Sequence, residues 1–375
     1  MIGIRAGSAT RNKTNSVADS SHRFPKTSIT ALGLSCAAGD QPFALLGAVA
    51  APVSGARPAP MSIPAPDGNC EADLLLAPVA ELEDIDNPAQ RIALLLQIAL
   101  ADLVENFPKR LDVSRLLVLI LLPDRSSSRG EALNCDWLEA ELKEFHPLLN
   151  SGAFRFAALS EGGCNHLEQA CQELAEGCWQ GVLFGGVDSL VDVVTCTELA
   201  RQARVMTTIS GEGLLPGEAA AFVLLEPSTS TAQPLANIRG IGIAPEPHVG
   251  EADRFQMTGL GIALENAFER GGRSAQVLDA FIHPRGGEAV DALEWHQMQR
   301  RFFPTTSTDK YGAYEARPAE LRPSRALGEL GAAALPVMLV LGCARFAFAQ
   351  PAVSTLAALE IGDNPFRGAA ILTRT

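Results

Sequence analysis

The stretch Leu116-Leu-Val-Leu-Ile-Leu-Leu122 carries no polar residue, and it stops at Pro123-Asp124 ahead of a Ser/Arg loop. A strand with one wet face alternates apolar and polar residues. An unbroken aliphatic run of strand length is covered on both faces, as in a sheet with helices on either side. Upstream, Asn87-Pro88 places an N-cap residue before a proline at the first helical position. The helix they open runs to about Glu105 and is apolar on nearly every side, which predicts burial. Downstream, the pattern predicts a charged helix over 131–145, a strand over 154–159, a helix over 164–176 and strands over 181–184 and 219–225. The second half repeats the style. It reads as strand 238–243, helix 259–270, strand 278–283, helix 288–302, one long helix 326–348, and closing strands 357–361 and 369–372. A first strand and its loop fall over 28–38, and the Pro- and small-residue-rich stretch 51–67 reads as an irregular connection. Alternating strands and helices of this kind specify an α/β architecture. No sequence repeat proves a duplication.

The chain has 375 residues, 47% of them hydrophobic, and a formal charge of −13. An acidic surface repels phosphate backbones, so nucleic acid is not an expected partner. None of the eight cysteines forms a C-x-x-C pair, and a chain of this length is no disulfide mini-scaffold. Free thiols in a reducing cytoplasm are the expected state. The polar segment from Met1 has no apolar core of signal-peptide length, so residues 1–27 read as a flexible leader. The longest apolar stretch, Leu330 to Ala344, is shorter than the ~20 residues of a membrane span and reads as a core helix.

Ile29-Thr-Ala-Leu-Gly-Leu-Ser-Cys-Ala-Ala-Gly39 is similar to the opening "ITGxGxxSxxG" of the β-ketoacyl synthases of the thiolase superfamily, and further segments resemble the same family. Gly177-Cys-Trp-Gln-Gly-Val-Leu-Phe-Gly-Gly186 resembles "GxADxxxxGG", and Gly213-Leu-Leu-Pro-Gly-Glu-Ala-Ala-Ala-Phe-Val-Leu-Leu-Glu226 resembles "GFVxGEGAGxxxLE". His283, Asp291 and Glu294 follow the intervals of "HGTxTxxxDxxE", and Gly328-Glu-Leu-Gly-Ala-Ala-Ala334 resembles "GHxxGAAG". The resemblance covers residues 28–375 through the order and spacing of these pieces. It implies a five-layer α-β-α-β-α fold of two similar halves, here 28–235 and 236–375. It also implies a dimer, paired through the apolar strand after the nucleophile helix.

The same resemblance places the chemistry and shows it incomplete. A ketosynthase acylates a cysteine at a strand-to-helix turn, where the helix N-terminus lowers the thiol pKa and backbone N–H groups hold the oxyanion. Counting back from Gly177 puts Ser160 at that position, expected at the start of a buried helix. Its other reading is a small residue filling a turn. Cys164, four residues on, is the thiol if the turn is shifted. At heptad intervals, Cys164, Cys171 and Cys178 fall along one helix stripe and read as buried core thiols; no tetrahedral metal-ligand set accompanies them. His283 matches one family histidine and also reads as a structural residue at a strand end. Glu329 stands where the second histidine belongs, and a carboxylate repels an enolate oxyanion. The C-terminal "NSFGFGG" turn is replaced by Gly362-Asp-Asn-Pro-Phe-Arg-Gly368. Gly185, Gly186, Cys164, Glu329 and Phe366 are expected to border the binding site. Asp291 and Glu294 read as acidic residues favouring a helix dipole.

No cofactor or metal is implied. The leading reading is a non-condensing ketosynthase homologue that binds an acyl chain, an acyl carrier protein or a related ketosynthase subunit, in a homodimer or heterodimer. A second is an acyltransferase or thioesterase using Ser160 and His283. A third is a scaffold or accessory protein of a bacterial secretion or biosynthetic gene cluster, since fold does not dictate function.

Overall fold

The computed structural model describes residues 24–51, 53–64, 71–230, 233–249, 251, 254–272, 278–284, 286–302, 318–348 and 351–375. In chain order these form β1 (Thr27–Cys36), α1 (Pro42–Ala50), β2 (Arg57–Pro64), β3 (Glu71–Leu76), α2 (Pro88–Glu105), β4 (Leu116–Leu122), α3 (Ser128–Glu131), α4 (Cys135–Phe145), β5 (Ala153–Ala158), α5 (Gly163–Ala175), β6 (Gly181–Ser189) and α6 (Val193–Arg201). There follow β7 (Glu218–Pro227), β8 (Ala236–Pro245), α7 (Gly259–Gly271), β9 (Ala280–Ile282), α8 (Ala289–Phe302), β10 (Ala319–Leu321), α9 (Ser324–Leu327), α10 (Ala334–Ala347), β11 (Thr355–Glu360) and β12 (Phe366–Thr373). Residues 1–23 of the expected leader lie outside the described residues; Phe24 is buried and Thr27 opens β1.

Apart from the β2–β3 hairpin, the strands form one ten-stranded sheet in the order β10-β9-β11-β12-β8-β1-β7-β6-β4-β5. Within it one plan appears twice. β4 runs parallel to β5 and β6, β6 antiparallel to β7, and β7 antiparallel to β1. In the same way β9 runs parallel to β10 and β11, β11 antiparallel to β12, and β12 antiparallel to β8. The helices keep step: β1-α2-β4-α4-β5-α5-β6-β7 is matched by β8-α7-β9-α8-β10-α10-β11-β12. The two units meet where Thr27, Ser28 and Ile29 pair with Ile238, Asn237 and Ala236.

Packing arranges the units in five layers. Leu117, Leu119 and Leu121 of β4 point to a central layer that holds α5 and α10 and is closed on its far side by Ile282, Leu356 and Leu372. Leu116, Val118, Ile120 and Leu122 point the other way, onto α2 and α4. Phe281, Leu359 and Ile371 likewise face α7 and α8. Both faces of β4 are covered, as its aliphatic run requires. In α10 every residue from Leu335 to Ala344 is buried. Its Val, Pro, Gly and Cys are modest helix formers at best. Each fully buried leucine contributes about 2 kcal/mol, so packing rather than propensity holds this helix.

Several local expectations are corrected. The stretch 51–67 is not wholly irregular, because Arg57–Pro64 pairs with Glu71–Leu76 despite its prolines. The charged helix begins at Cys135, after the separate short α3. The long helix over 326–348 is broken: Gly328 has φ 77°, and α10 starts only at Ala334. A Cβ at Gly328 would lie 2.4 Å from the Leu215 carbonyl oxygen, so the chain turns there on a residue without one. Cys178 leaves the thiol stripe, because α5 ends at Ala175, Gly177 turns with φ 76°, and Cys178 is exposed. The apolar strand expected to carry the dimer contact, β6, has β4 and β7 on its two edges; the strands at the sheet's two ends are β5 and β10.

Candidate active site

A cavity of about 540 Å³ opens where the turn before α5, the loop after β4, α6, the start of α10 and the turn between β11 and β12 converge. Ser160, Pro284, Glu329, Glu360 and the Gly362–Pro365 turn all line it. Segments placed by spacing alone, some 200 residues apart in the chain, thus share one wall.

Ser160 sits in the single turn Leu159–Glu161, not at the helix start; α5 begins three residues later at Gly163. The reason is Gly162, which takes φ 85° and ψ 124° as N-cap and swings the chain before the helix begins. Ser160 is exposed, and its backbone N–H donates to Asp124 Oδ1 at 3.2 Å.

The first N–H groups of α5 do not face open space. Gly163 N donates to Glu360 Oε1 at 2.5 Å and Cys164 N to Glu360 Oε2 at 2.7 Å. Glu360 ends β11 and is 7% exposed. A carboxylate at a helix N-terminus satisfies orphan donors and the helix dipole together. Cys164 is buried beside it, and a Cβ on Gly368 would lie 2.5 Å from its Sγ. Burial, and next the Glu360 charge, push the Cys164 thiol well above the ordinary range. That is opposite to the shift an activated thiol needs.

His283 follows β9 and is buried, its ring edge-on to Trp295 at 4.6 Å between centroids. Its neighbour Pro284, rather than His283, lines the cavity. Glu329 receives the Gly331 N–H at 3.3 Å, and its backbone bonds to Leu215 and Gly217. Gly185 and Gly186 serve packing: a Cβ would meet the Phe222 ring at 2.2 Å or the Ala332 carbonyl oxygen at 2.3 Å. Phe366 is half-buried at the start of β12, pairs with Pro245, and does not line the cavity.

The side chain that shapes the C-terminal turn is Arg367, which the sequence reading passed over. It is 1% exposed, pairs with Glu294 through Nε at 2.6 Å and Nη2 at 3.0 Å, and donates to the carbonyls of Gly362, Asn364 and Phe366. Glu294 is therefore half of a buried ion pair, not a dipole ornament. Asn364 Nδ2 ties the turn to Leu159 O at 3.3 Å, and Asp363 ties it to Arg204. Charged residues in the Asp363-Asn-Pro-Phe-Arg367 run were the available signal. Glu360 carried a subtler one, as a lone carboxylate in an apolar strand.

Among the described residues no group of three or more His, Cys, Asp or Glu is placed to hold a metal ion, and no helix is long and apolar enough to cross a membrane.

No protein-family model and no curated protein matches this chain. Solved structures do. A type II polyketide synthase acyl-carrier protein in complex with its ketosynthase bound to the hexaketide contributes a chain matched at TM-score 0.73 and 12% identity, over 94% of this chain and 100% of that one. A β-ketoacyl synthase from Burkholderia phymatum STM815 matches at TM-score 0.68 and 14% identity, over 94% and 100% of the two chains. A ketosynthase in complex with its chain length factor from Xenorhabdus doucetiae gives TM-score 0.67 and 13% identity, over 94% and 98%. At such identities the likeness is one of architecture: the chain has the thiolase-like fold of the ketosynthases.

Proposed function

We propose that this protein is a non-condensing ketosynthase homologue that holds an acyl-type chain in the cavity and works beside an acyl carrier protein or a related ketosynthase subunit. The observation that carries the reading is the Glu360 carboxylate on the N–H groups of Gly163 and Cys164. A thioester carbonyl entering there meets a negative charge instead of two donors. Removing one oxyanion donor from a working site typically costs on the order of 10²–10³ in rate, and here both are engaged. The cavity floor, with Leu159, Leu335, Met338 and Ile361, offers an apolar surface for a chain.

The known structures in which a ketosynthase accompanies a chain length factor or a carrier protein support the choice of partner. β5, at one of the two ends of the sheet and the longer of the two end strands, is the strand we assign to a homodimer or heterodimer seam. The division of the chain at 235/236 and a cytoplasmic location, in keeping with the free thiols, belong to the same reading. The hydrolase or acyltransferase alternative draws less support, since His283 packs on Trp295 while Pro284 faces the cavity.

The test is incubation with labelled acyl and malonyl carrier thioesters, with mass spectrometry for a β-keto product. None is expected. Product that is lost on Ser160→Ala or Cys164→Ala overturns the reading.

A further inference from the structure

The cavity beside Ser160 has a neighbour. A second cavity, of about 280 Å³, is lined by Ser54, Met206, Leu214, Leu215, Gly287 and Arg325 among others. Two residues, Leu214 and Glu329, line both cavities. They are therefore the partition between two adjoining chambers. On the near side Leu190 and Leu199 lead up to it, and on the far side Met206 and Leu215 continue an apolar lining. The far chamber reaches Ser54 and Arg325, both exposed.

The two halves of the partition are held differently. Glu329 Oε1 accepts the Gly331 N–H at 3.3 Å, which ties that side chain toward the start of α10. The Leu214 backbone is also fixed: its N–H donates to Arg204 O at 2.6 Å, and its carbonyl accepts the Met206 N–H at 2.8 Å. Beside it Gly213, at φ 120°, donates to Gly287 O at 2.9 Å, and a Cβ on Gly213 would lie 2.8 Å from the Val205 carbonyl carbon. The chain cannot shift there, so what separates the chambers at Leu214 is the bulk of a buried isobutyl group alone.

We infer that Leu214 sets the length of the apolar chain this protein accepts, by ending the first chamber where the second would continue it. This rests on the proposed chain-binding role and names the residue that limits the chain in that site. Each methylene taken out of water tightens binding about fourfold, the equivalent of about 0.8 kcal/mol. A methylene left in solvent adds nothing. A chain that reaches Leu214 has no dry space in which to grow, and a smaller residue there gives it Met206 and Leu215 to lie against.

The experiment is isothermal titration of the full chain with the straight alkan-1-ols from hexan-1-ol to tetradecan-1-ol, whose head group is uncharged. In wild type the affinity should climb with chain length and then level off. In Leu214→Ala it should go on climbing, so that the first alkanols beyond the wild-type limit bind about tenfold or more tighter to the variant. Leu214→Val, a smaller cut, should show the same change to a lesser degree. Adding Met206→Trp to Leu214→Ala fills the far chamber and should restore the wild-type limit. Circular dichroism checks the fold of each variant. One shared limit in wild type, Leu214→Ala and Leu214→Val overturns the role of Leu214 and leaves the chain-binding role standing. Failure of every alkanol to bind any of the proteins overturns both.

Discussion

Glu360 Oε2 accepts the backbone N–H of Cys164 at 2.7 Å, although the two residues are 196 positions apart. The contact joins the end of a strand in the second unit to the first turn of the central helix in the first. With the Gly163 N–H on Oε1, the same carboxylate satisfies two orphan donors at the start of α5.

Removing the acceptor should therefore cost stability. Glu360→Gln keeps the shape, but its amide can accept at only one oxygen and turns an NH₂ toward the other N–H. The expected loss is about 1–3 kcal/mol, read as a lower urea midpoint at unchanged slope. A midpoint equal to wild type would mean that other groups satisfy the helix end.

Much of this was legible in the chain. Asn87 caps α2 by accepting the Gln90 N–H, and Leu116–Leu122 is β4 residue for residue. Both signals are local, set by a capping side chain and an aliphatic run. The spacing that put Ser160 and Glu329 on one cavity was legible too. What escaped was non-local: Glu360 and Arg367 act through partners 73 to 197 positions away, and neither lies in a stretch whose periodicity announces them. The β2 strand escaped because Pro58, Pro60 and Pro64 mask a hairpin built outside the main sheet.

Thiol labelling should sort the cysteines by environment. Iodoacetamide attacks thiolate, and Cys164 is fully enclosed with its pKa raised by burial and by Glu360. In the native protein at mildly alkaline pH, Cys178, which is exposed, should be carbamidomethylated while Cys164 stays unmodified. Peptide mass mapping reads both. Rapid native modification of Cys164 would contradict the buried, unactivated thiol.

Alkaline pH should weaken the fold. Burial pushes Cys36 and Cys171 up to about 12, against about 8.5 for an unfolded thiol. Below the unfolded value neither state ionises, so the contribution of these neutral thiols is whole. As pH rises from there toward the folded value, the unfolded chain releases protons first, and stability falls by up to about 1.4 kcal/mol per pH unit for each thiol. Urea unfolding at neutral pH and in the alkaline range should show this slope, and Cys171→Ala should flatten it. An identical slope in the variant would remove the thiol as its cause.

The buried pair Arg367–Glu294 should behave as a unit. Both side chains are 1% exposed, and leaving either charge alone in the core typically costs about 3–5 kcal/mol. Arg367→Met should lose about that much. Arg367→Met combined with Glu294→Leu should lose less than the two single changes added together. Strict additivity in the double-mutant cycle would show that Arg367 acts only through the carbonyls of the C-terminal turn.

The repeated plan of strands and helices has a thermodynamic side. Helices α5 and α10 come from different units yet share the central layer, and the cap of α5 is supplied by β11. A fragment ending at residue 235 would keep α5 but lose both its apolar roof and its acceptor; the complementary fragment would expose α10, which is apolar from Ala334 to Ala344. The two units are thus alike in plan but not independent in cooperativity. Heat or urea should take them apart in a single step, with neither half outliving the other.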